Sequence, residues 1–319
     1  MRTNRFKSIA IFTEAGSIQG FGHLSRCCTL YDESIASGYD TQLVVNTMNE
    51  LPEISRNIIV ADWLEMSVLM PLLKKFDNVV VDSYLADIDI YKVIALNCSA
   101  ALYIDDYMRL DYPKGIVVNP SLYGDRLPYK KQADVRYLGG FEYVIVRPEF
   151  QNIIPIKCTG ERKNILITMG GADIANLTPI ILKTVSKEIP ESKKHVVIGA
   201  GFSNMREIEL ASDDNTVLYD SLKASEMRDL MLGVDIAITA AGQTIYELMS
   251  CGVPMVAVRV ADNQEWNIAG LRELGIACLD SEKDDFGSVP WKKFIDDTSA
   301  YEPFSFNGQK KIINTLMGI

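Results

Sequence analysis

The sequence predicts an α/β protein built from two Rossmann-like domains. Three observations carry this. Short runs rich in Val and Ile alternate with helix-length segments along most of the 319 residues. The runs are continuous rather than alternating, which suits parallel strands covered by helices on both faces. The alternation breaks off over Phe150 to Arg162, a mixed and poorly periodic stretch, and a second series starts near Asn164. Repeated strand–helix order of this kind builds open parallel sheets.

In chain order, Ser8 to Phe12 reads as the first strand and Leu24 to Ser37 as a helix. Further strands are expected at Gln42 to Asn46, Asn57 to Ala61, Val79 to Asp82, Ala101 to Ile104 and Ile116 to Asn119. The second series has strands at Asn164 to Thr168, Lys194 to Ile198, Thr216 to Tyr219, Asp235 to Thr239, Met255 to Val258 and near Ala277. Its helices are expected at Leu177 to Ile189, Ala224 to Leu232, Thr244 to Ser250 and Asn263 to Leu274, with a last helix over Asn307 to Met317. The domains are therefore expected at 1–150 and 163–319, joined by a linker at 151–162, with room for the last helix to pack back on the first domain.

The charge balance, 32 basic against 42 acidic residues without a basic block, argues against nucleic acid or an anionic membrane as partner. No apolar run approaches the roughly 18 residues of a spanning helix, so no integral membrane segment is expected. The basic start, Met1 to Lys7, leads into a strand-like run rather than a signal core, and a cytoplasmic address is expected. The six cysteines form no CxxC and no metal-ligand spacing, so no metal or cofactor is expected. Cys27 lies near the candidate centre as a sensitive thiol rather than a nucleophile.

Open α/β sheets bind ligands beyond the carboxyl ends of their strands, and the polar clusters fall there. The run Ala240-Ala241-Gly242-Gln243-Thr244-Ile245-Tyr246-Glu247 follows a strand, turns at a glycine and opens a helix. First-turn N–H groups of such a helix suit a phosphate, and a nearby carboxylate suits ribose hydroxyls. Together with Asp262-Asn263-Gln264 it suggests a nucleotide-sugar site. Gly170-Gly171 and Gly199-Ala200-Gly201 end other strands of the second series, and Gly170-Gly171 suits a phosphate or the substrate.

In the first series, Gly20-Phe21-Gly22-His23 precedes a helix and lets backbone approach a ligand closely. His23, at the helix start, is expected to be neutral and competent as a base. Asp82, Tyr84, Asp105 and Asp106 stand at strand ends, where a carboxylate can orient His23, position water or cap a loop. A dinucleotide fingerprint is excluded, because its third glycine is missing from Gly20 to Cys28. His195, opening an apolar strand, reads as structural.

The ordered set Gly20 to Cys27, Asp82-Ser83-Tyr84, Ile104-Asp105-Asp106, Asn119-Pro120, Gly140 to Phe150, Gly170 to Asp173 with Asn176-Leu177-Thr178, Ala241 to Glu247 and Asn263-Gln264 spans nearly the whole chain. This set resembles the hydrolases that cleave UDP-2,4-diacetamido-2,4,6-trideoxy-β-L-altropyranose in pseudaminic acid biosynthesis, relatives of the MurG-like GT-B glycosyltransferases. The resemblance implies a GT-B-like fold with its two domains facing across a cleft. It implies a metal-independent enzyme with UDP on the second domain and the sugar toward the glycine–histidine loop. His23, Tyr84, Asp82 and Asn263 would then be catalytic. Gly20, Gly22, Arg26, Asp106, Gly170, Gly171, Gly199, Ala241, Gly242, Gln243, Thr244, Glu247 and Gln264 would bind UDP or sugar, with Glu247 on the ribose.

This chain has Ala172-Asp173-Ile174 and Gly242-Gln243-Thr244 where that family commonly has Ser-Asp-Pro and Gly-Ser-Thr. The expected activity is hydrolysis of a UDP-linked amino or deoxy sugar at its anomeric carbon. The alternatives are a UDP-sugar-dependent glycosyltransferase of polysaccharide biosynthesis and a nucleotide-sugar-binding protein without turnover.

Overall fold

The computed structural model describes residues 8–16, 22–48, 51, 56–154 and 163–318. These divide into two compact units, Met1–Val146 with Phe306–Ile319, and Arg147–Ser305. Both are Rossmann-like α/β units, each a parallel sheet with helices.

The first unit runs β1 (Ser8–Glu14), α1 (Gly22–Ala36), β2 (Asp40–Asn46), β3 (Ile58–Val60), α2 (Met66–Leu73), β4 (Asn78–Asp82), α3 (Ile88–Asn97), β5 (Ala100–Ile104), β6 (Gly115–Asn119) and β7 (Val135–Gly139). Its strand order is β3-β2-β1-β4-β5-β6-β7. The order reverses between β1 and β4, which pair in parallel from Ile9↔Asn78 to Thr13↔Asp82. That reversal is the place where an open sheet splits its connections to opposite faces and leaves a crevice. The strands are apolar because both faces are covered. Ile9 and Ile11 join one core cluster with Leu24 and Cys27 of α1, while Ala10 and Phe12 join another with Trp63, Leu69 and Tyr91. Each fully buried Ile, Val or Leu adds roughly 1.5–3 kcal/mol.

The second unit runs β8 (Asn164–Thr168), α4 (Thr178–Glu188), β9 (Lys193–Ile198), α5 (Met205–Ala211), β10 (Thr216–Asp220), α6 (Ala224–Leu232), β11 (Ile236–Ala240), α7 (Thr244–Cys251), β12 (Met255–Arg259), α8 (Glu265–Glu273), β13 (Ala277–Asp280) and α9 (Trp291–Asp297). Its order, β10-β9-β8-β11-β12-β13, repeats the arrangement of the first sheet, with the reversal between β8 and β11. Helix α7 stops at Gly252, whose φ of 68° is the left-handed conformation that ends helices.

The last helix, α10 (Gly308–Met317), belongs to the first unit. Its Ile312, Ile313, Leu316 and Met317 lie in the same core cluster as Leu24, Cys27 and Tyr31 of α1. Gly308 permits this approach: a Cβ there would lie 2.3 Å from backbone atoms of Tyr143 and Val144.

The sequence pattern does not foresee β7, α2, α3, α5 or α9. Strand β7 is a half-exposed edge strand of mixed composition, and α2 carries Pro71 inside a nearly uniform apolar run, so neither shows a clear period. Helix α3 is set by Asp87, whose side chain accepts from the N–H groups of Asp89 and Ile90.

Candidate functional site

In the first unit the polar residues gather where β1 and β4 part. Strand β1 does not stop at Phe12 but runs on to Glu14, which is buried. The glycine loop that follows lies partly outside the described residues, Gly20 among them. Gly22 opens α1, and a Cβ at this position would meet nothing within 4 Å.

One turn of α1 presents His23 and Arg26 to Asp82, the buried last residue of β4. His23 Nδ1 lies 2.7 Å from Asp82 Oδ1. Arg26 donates to the same carboxylate from Nε at 2.8 Å and Nη2 at 2.7 Å. The guanidinium also donates to Asp106, from Nη1 at 2.7 Å and Nη2 at 3.0 Å. Tyr84 Oη donates to Asp106 at 2.5 Å, and its ring meets the His23 ring edge-on at 4.2 Å. Asp82, Arg26, Asp106, Tyr84 and His23 thus form one connected group. Arg26, expected to face substrate, is instead 8% exposed and spends its guanidinium on these two carboxylates.

Tyr84 lies beyond the end of β4, and its place is set from another strand. Glu14 accepts from the Tyr84 N–H at 2.7 Å and from the Ser83 hydroxyl. Asp105, next to Asp106, turns the other way and accepts from Tyr129 Oη at 2.8 Å and the Arg109 N–H at 3.1 Å.

These contacts decide protonation. Burial alone would lower the His23 pKa, but the Asp82 charge and hydrogen bond outweigh it and, against Arg26, raise it above 6.5. The carboxylate in contact thus makes the ring more basic than a helix start alone would. Burial opposes ionisation of Asp82 and Asp106, yet Arg26 holds both below the usual carboxylate value. The Cys27 thiol is pushed up, first by burial and then by Asp82, and it points at Asp82 with Sγ 3.6 Å from Oδ2. It is a buried thiol, not a nucleophile.

In the second unit the loop after β8 turns at Gly170, with φ 80°. Asp173 accepts from the N–H groups of Leu177 at 2.9 Å and Thr178 at 3.0 Å, so its own carboxylate caps α4. Asn204 Nδ2 donates to it as well, at 2.8 Å. Gly199 is where β9 ends against this loop: an added Cβ would lie 2.5 Å from Gly171 O and 2.6 Å from Gly170 O.

Beyond β11, Ala241 is buried, its N–H donating to Val258 O at 2.8 Å and its carbonyl accepting from Asn267 Nδ2 at 2.8 Å. Gly242, Gln243 and Thr244 are half-buried at the start of α7. A Cβ on Gly242 would meet only Gln264 Nε2, at 3.8 Å, while Gln264 Oε1 accepts from the Val260 N–H at 2.9 Å. Asn263 occupies the exposed turn before α8.

Glu247 is buried, and both its oxygens are taken by Arg147: Nε to Oε1 at 2.6 Å and Nη2 to Oε2 at 2.9 Å. Sequence reasoning singled out neither Arg147 nor Glu14 as a site residue. Glu14 had a signal, a carboxylate closing a largely apolar strand; the pairing of Arg147 with Glu247 had none, the two being 100 residues apart. Among the described residues no group of three or more His, Cys, Asp or Glu is placed to hold a metal ion. Nor is any helix among them long and apolar enough to cross a membrane.

No family model matches the chain. It is similar to an uncharacterized protein of Methanocaldococcus jannaschii, 25% identical over 78% of this chain and 55% of that protein. It is 24% identical to the pseudaminic acid cytidylyltransferase and UDP-2,4-diacetamido-2,4,6-trideoxy-β-L-altropyranose hydrolase of Helicobacter pylori, over 84% of this chain and 47% of that protein. It is 23% identical to the spore coat polysaccharide biosynthesis protein SpsG of Bacillus subtilis, over 80% of this chain and 78% of that protein. The chain thus spans about half the length of the first two relatives.

Among solved structures it is similar to MurG of Acinetobacter baumannii, with TM-score 0.62, 14% identity and coverage of 98% of this chain and 100% of that one. MnaA of S. aureus in complex with UDP gives TM-score 0.63, 14% identity and coverage of 98% and 96%. The spinosyn rhamnosyltransferase SpnG with thymidine diphosphate gives TM-score 0.59, 12% identity and coverage of 98% and 95%. The chain has a GT-B-like fold, two Rossmann-like α/β units in series.

The expectation of anomeric hydrolysis, and of a UDP-sugar hydrolase as the enzyme class, is overturned by this comparison. The similar structures whose names state an activity are glycosyltransferases and, in one case, a UDP-GlcNAc 2-epimerase. A relative with a hydrolase in its name also carries a cytidylyltransferase, and this chain spans 47% of it. The physical reason is that a His–Asp pair activates any hydroxyl; nothing in His23 and Asp82 selects water.

Proposed function

We propose that the protein is a UDP-sugar-dependent glycosyltransferase of polysaccharide biosynthesis. The observation that carries this reading is the GT-B-like fold, shared over 98% of the chain with structures named as glycosyltransferases; the His23–Asp82 pair at 2.7 Å, at the strand reversal of the first sheet, supplies the base. A base held by a carboxylate can take the proton of an acceptor hydroxyl. The second unit supports the donor: a glycine turn at Gly242, the start of α7 and the Glu247 carboxylate suit a diphosphate and a ribose. The complexes of MnaA with UDP and of SpnG with thymidine diphosphate place nucleoside diphosphates on the same fold, and the SpsG name places a relative in polysaccharide biosynthesis.

In this reading the acceptor hydroxyl gives its proton to His23 Nε2, while Nδ1–H donates to Asp82. The acceptor oxygen bonds to C1 of the sugar as the bond from C1 to the β-phosphate oxygen breaks. UDP leaves with that electron pair. The protonated ring is stabilised by Asp82. Arg26 keeps Asp82 ionised for this task.

The test is release of UDP from UDP-N-acetylhexosamines with and without an array of glycoside acceptors. The expected outcome is release that depends on one class of acceptor, with the new glycoside seen by mass spectrometry. Absence of UDP binding by calorimetry, or equal release without any acceptor, overturns the reading.

A further inference from the structure

Arg147 opens the second unit, and its backbone is fixed before its side chain is considered. It precedes Pro148, which forces the preceding residue into extended backbone, and its φ and ψ are −56° and 149°. The 3₁₀ turn Pro148–Phe150 then brings Phe150 back, with its N–H donating to Arg147 O at 2.9 Å. The guanidinium lies over the Phe150 ring, 5.1 Å from its centroid. Its remaining freedom is removed by the two hydrogen bonds to Glu247.

This is more than is needed to pin a turn to α7. A buried ion pair costs desolvation that two apolar side chains would avoid. What the fork supplies is orientation. A carboxylate offers about two lone-pair sites on each oxygen. Arg147 takes one on each, from Nε and Nη2, and fixes the carboxylate plane. One site per oxygen remains, a spacing that matches the two O–H donors of a vicinal diol. The Glu247 side chain is 4% exposed and Arg147 28%, so the charge of this carboxylate is balanced without solvent.

We infer that Arg147 is a positioning residue that aims Glu247 at the 2′- and 3′-hydroxyls of the donor's ribose, and so makes the protein select ribonucleotides. This inference rests on the nucleotide-sugar reading above. Arg147 acts through Glu247 and does not touch the sugar that is transferred. Lysine in its place keeps the charge but not the fork.

Calorimetry with UDP and with 2′,3′-dideoxy-UDP tests this on the intact protein and on Arg147→Met and Arg147→Lys. The wild type is expected to prefer UDP by about ten-fold or more, the worth of hydrogen bonds to a charged group. In Arg147→Met that preference collapses toward unity, mainly through weaker UDP binding; Arg147→Lys keeps part of it. A merely structural role would weaken both ligands alike, so an unchanged preference in Arg147→Met overturns the inference. So does tighter UDP binding, which would make Arg147 a competitor for Glu247. Should the Met variant not fold, an unchanged preference in the Lys variant overturns it in the same way. A wild type that binds neither nucleotide overturns the nucleotide-sugar reading itself, whereas UDP binding with no preference for the diol overturns only the inference.

Discussion

Arg26 holds Asp82 by two N–H donors, at 2.8 and 2.7 Å, and the same guanidinium reaches on to Asp106. One cation therefore compensates two carboxylates that belong to different strand ends. Removing it leaves Asp82, wholly buried, with His23 as its one partner of opposite charge among the described residues. Arg26→Met is expected to lose about 3–5 kcal/mol, the usual cost of breaking a buried pair from one side. Urea unfolding at pH 7 measures it, and an unchanged midpoint would refute the compensation.

The two histidines are expected to titrate on opposite sides of 6.5. His195 is lowered by burial and by Lys193, whereas for His23 the nearby Asp82 outweighs burial. NMR titration of the ring protons resolves both, without any assay of activity. The sign for stability follows: His23 contributes below its unfolded value near 6.5, and that contribution is lost as the pH rises through its raised folded value. Asp82→Asn should bring the His23 pKa down. A His23 resonance titrating below 6.5 in the wild type would contradict the geometry.

His23→Asn should leave UDP affinity unchanged, because the residues proposed to hold the nucleotide lie in the other unit. Turnover should fall by roughly 10²–10⁴-fold, the worth of positioned proton transfer. Calorimetry and initial rates on the same preparation separate the two. Near-normal turnover would reduce His23 to a helix-start residue.

Gly199→Ala and Gly242→Ala should behave differently. The first drives a Cβ to 2.5 Å from a backbone oxygen and should cost about 1–3 kcal/mol. The second meets nothing closer than 3.8 Å and should unfold as the wild type does, within about 0.5 kcal/mol. Thermal melts of the pair check this, and equal losses would show that the glycines share one role.

The strands were legible because parallel strands under two layers of helix must be apolar throughout, as Ile9 to Phe12 and Val79 to Val81 are. Residues at strand ends were legible for the same reason: a polar residue that interrupts such a run, as Asp82 does, has a purpose. Direction was not legible. Asp82 and Asp106 face Arg26, yet Asp105, one residue away, faces Tyr129. The Gly170-Gly171 loop reads as a phosphate cradle in one dimension, but Asp173 fills the start of α4 and Gly199 closes on the turn. Glu247 reads as a ribose ligand, and nothing local announces that Arg147 holds it. Such pairings depend on side-chain direction and on partners far away in sequence, and neither leaves a periodic trace.

Helix α10 places residues 308–317 inside the core of the first unit. The unit whose strands are synthesised first is thus the one that stays incomplete longest. On a ribosome, β1 and α1 emerge early but wait for Ile312, Ile313 and Leu316 to cover the α1 face, while every element of the second unit is made in between. The intervening unit is one continuous stretch of chain, Arg147–Ser305. The order of translation and the order of completion are therefore reversed, and a nascent chain halted before residue 306 would leave uncovered the α1 side chains that Ile312, Ile313 and Leu316 pack with.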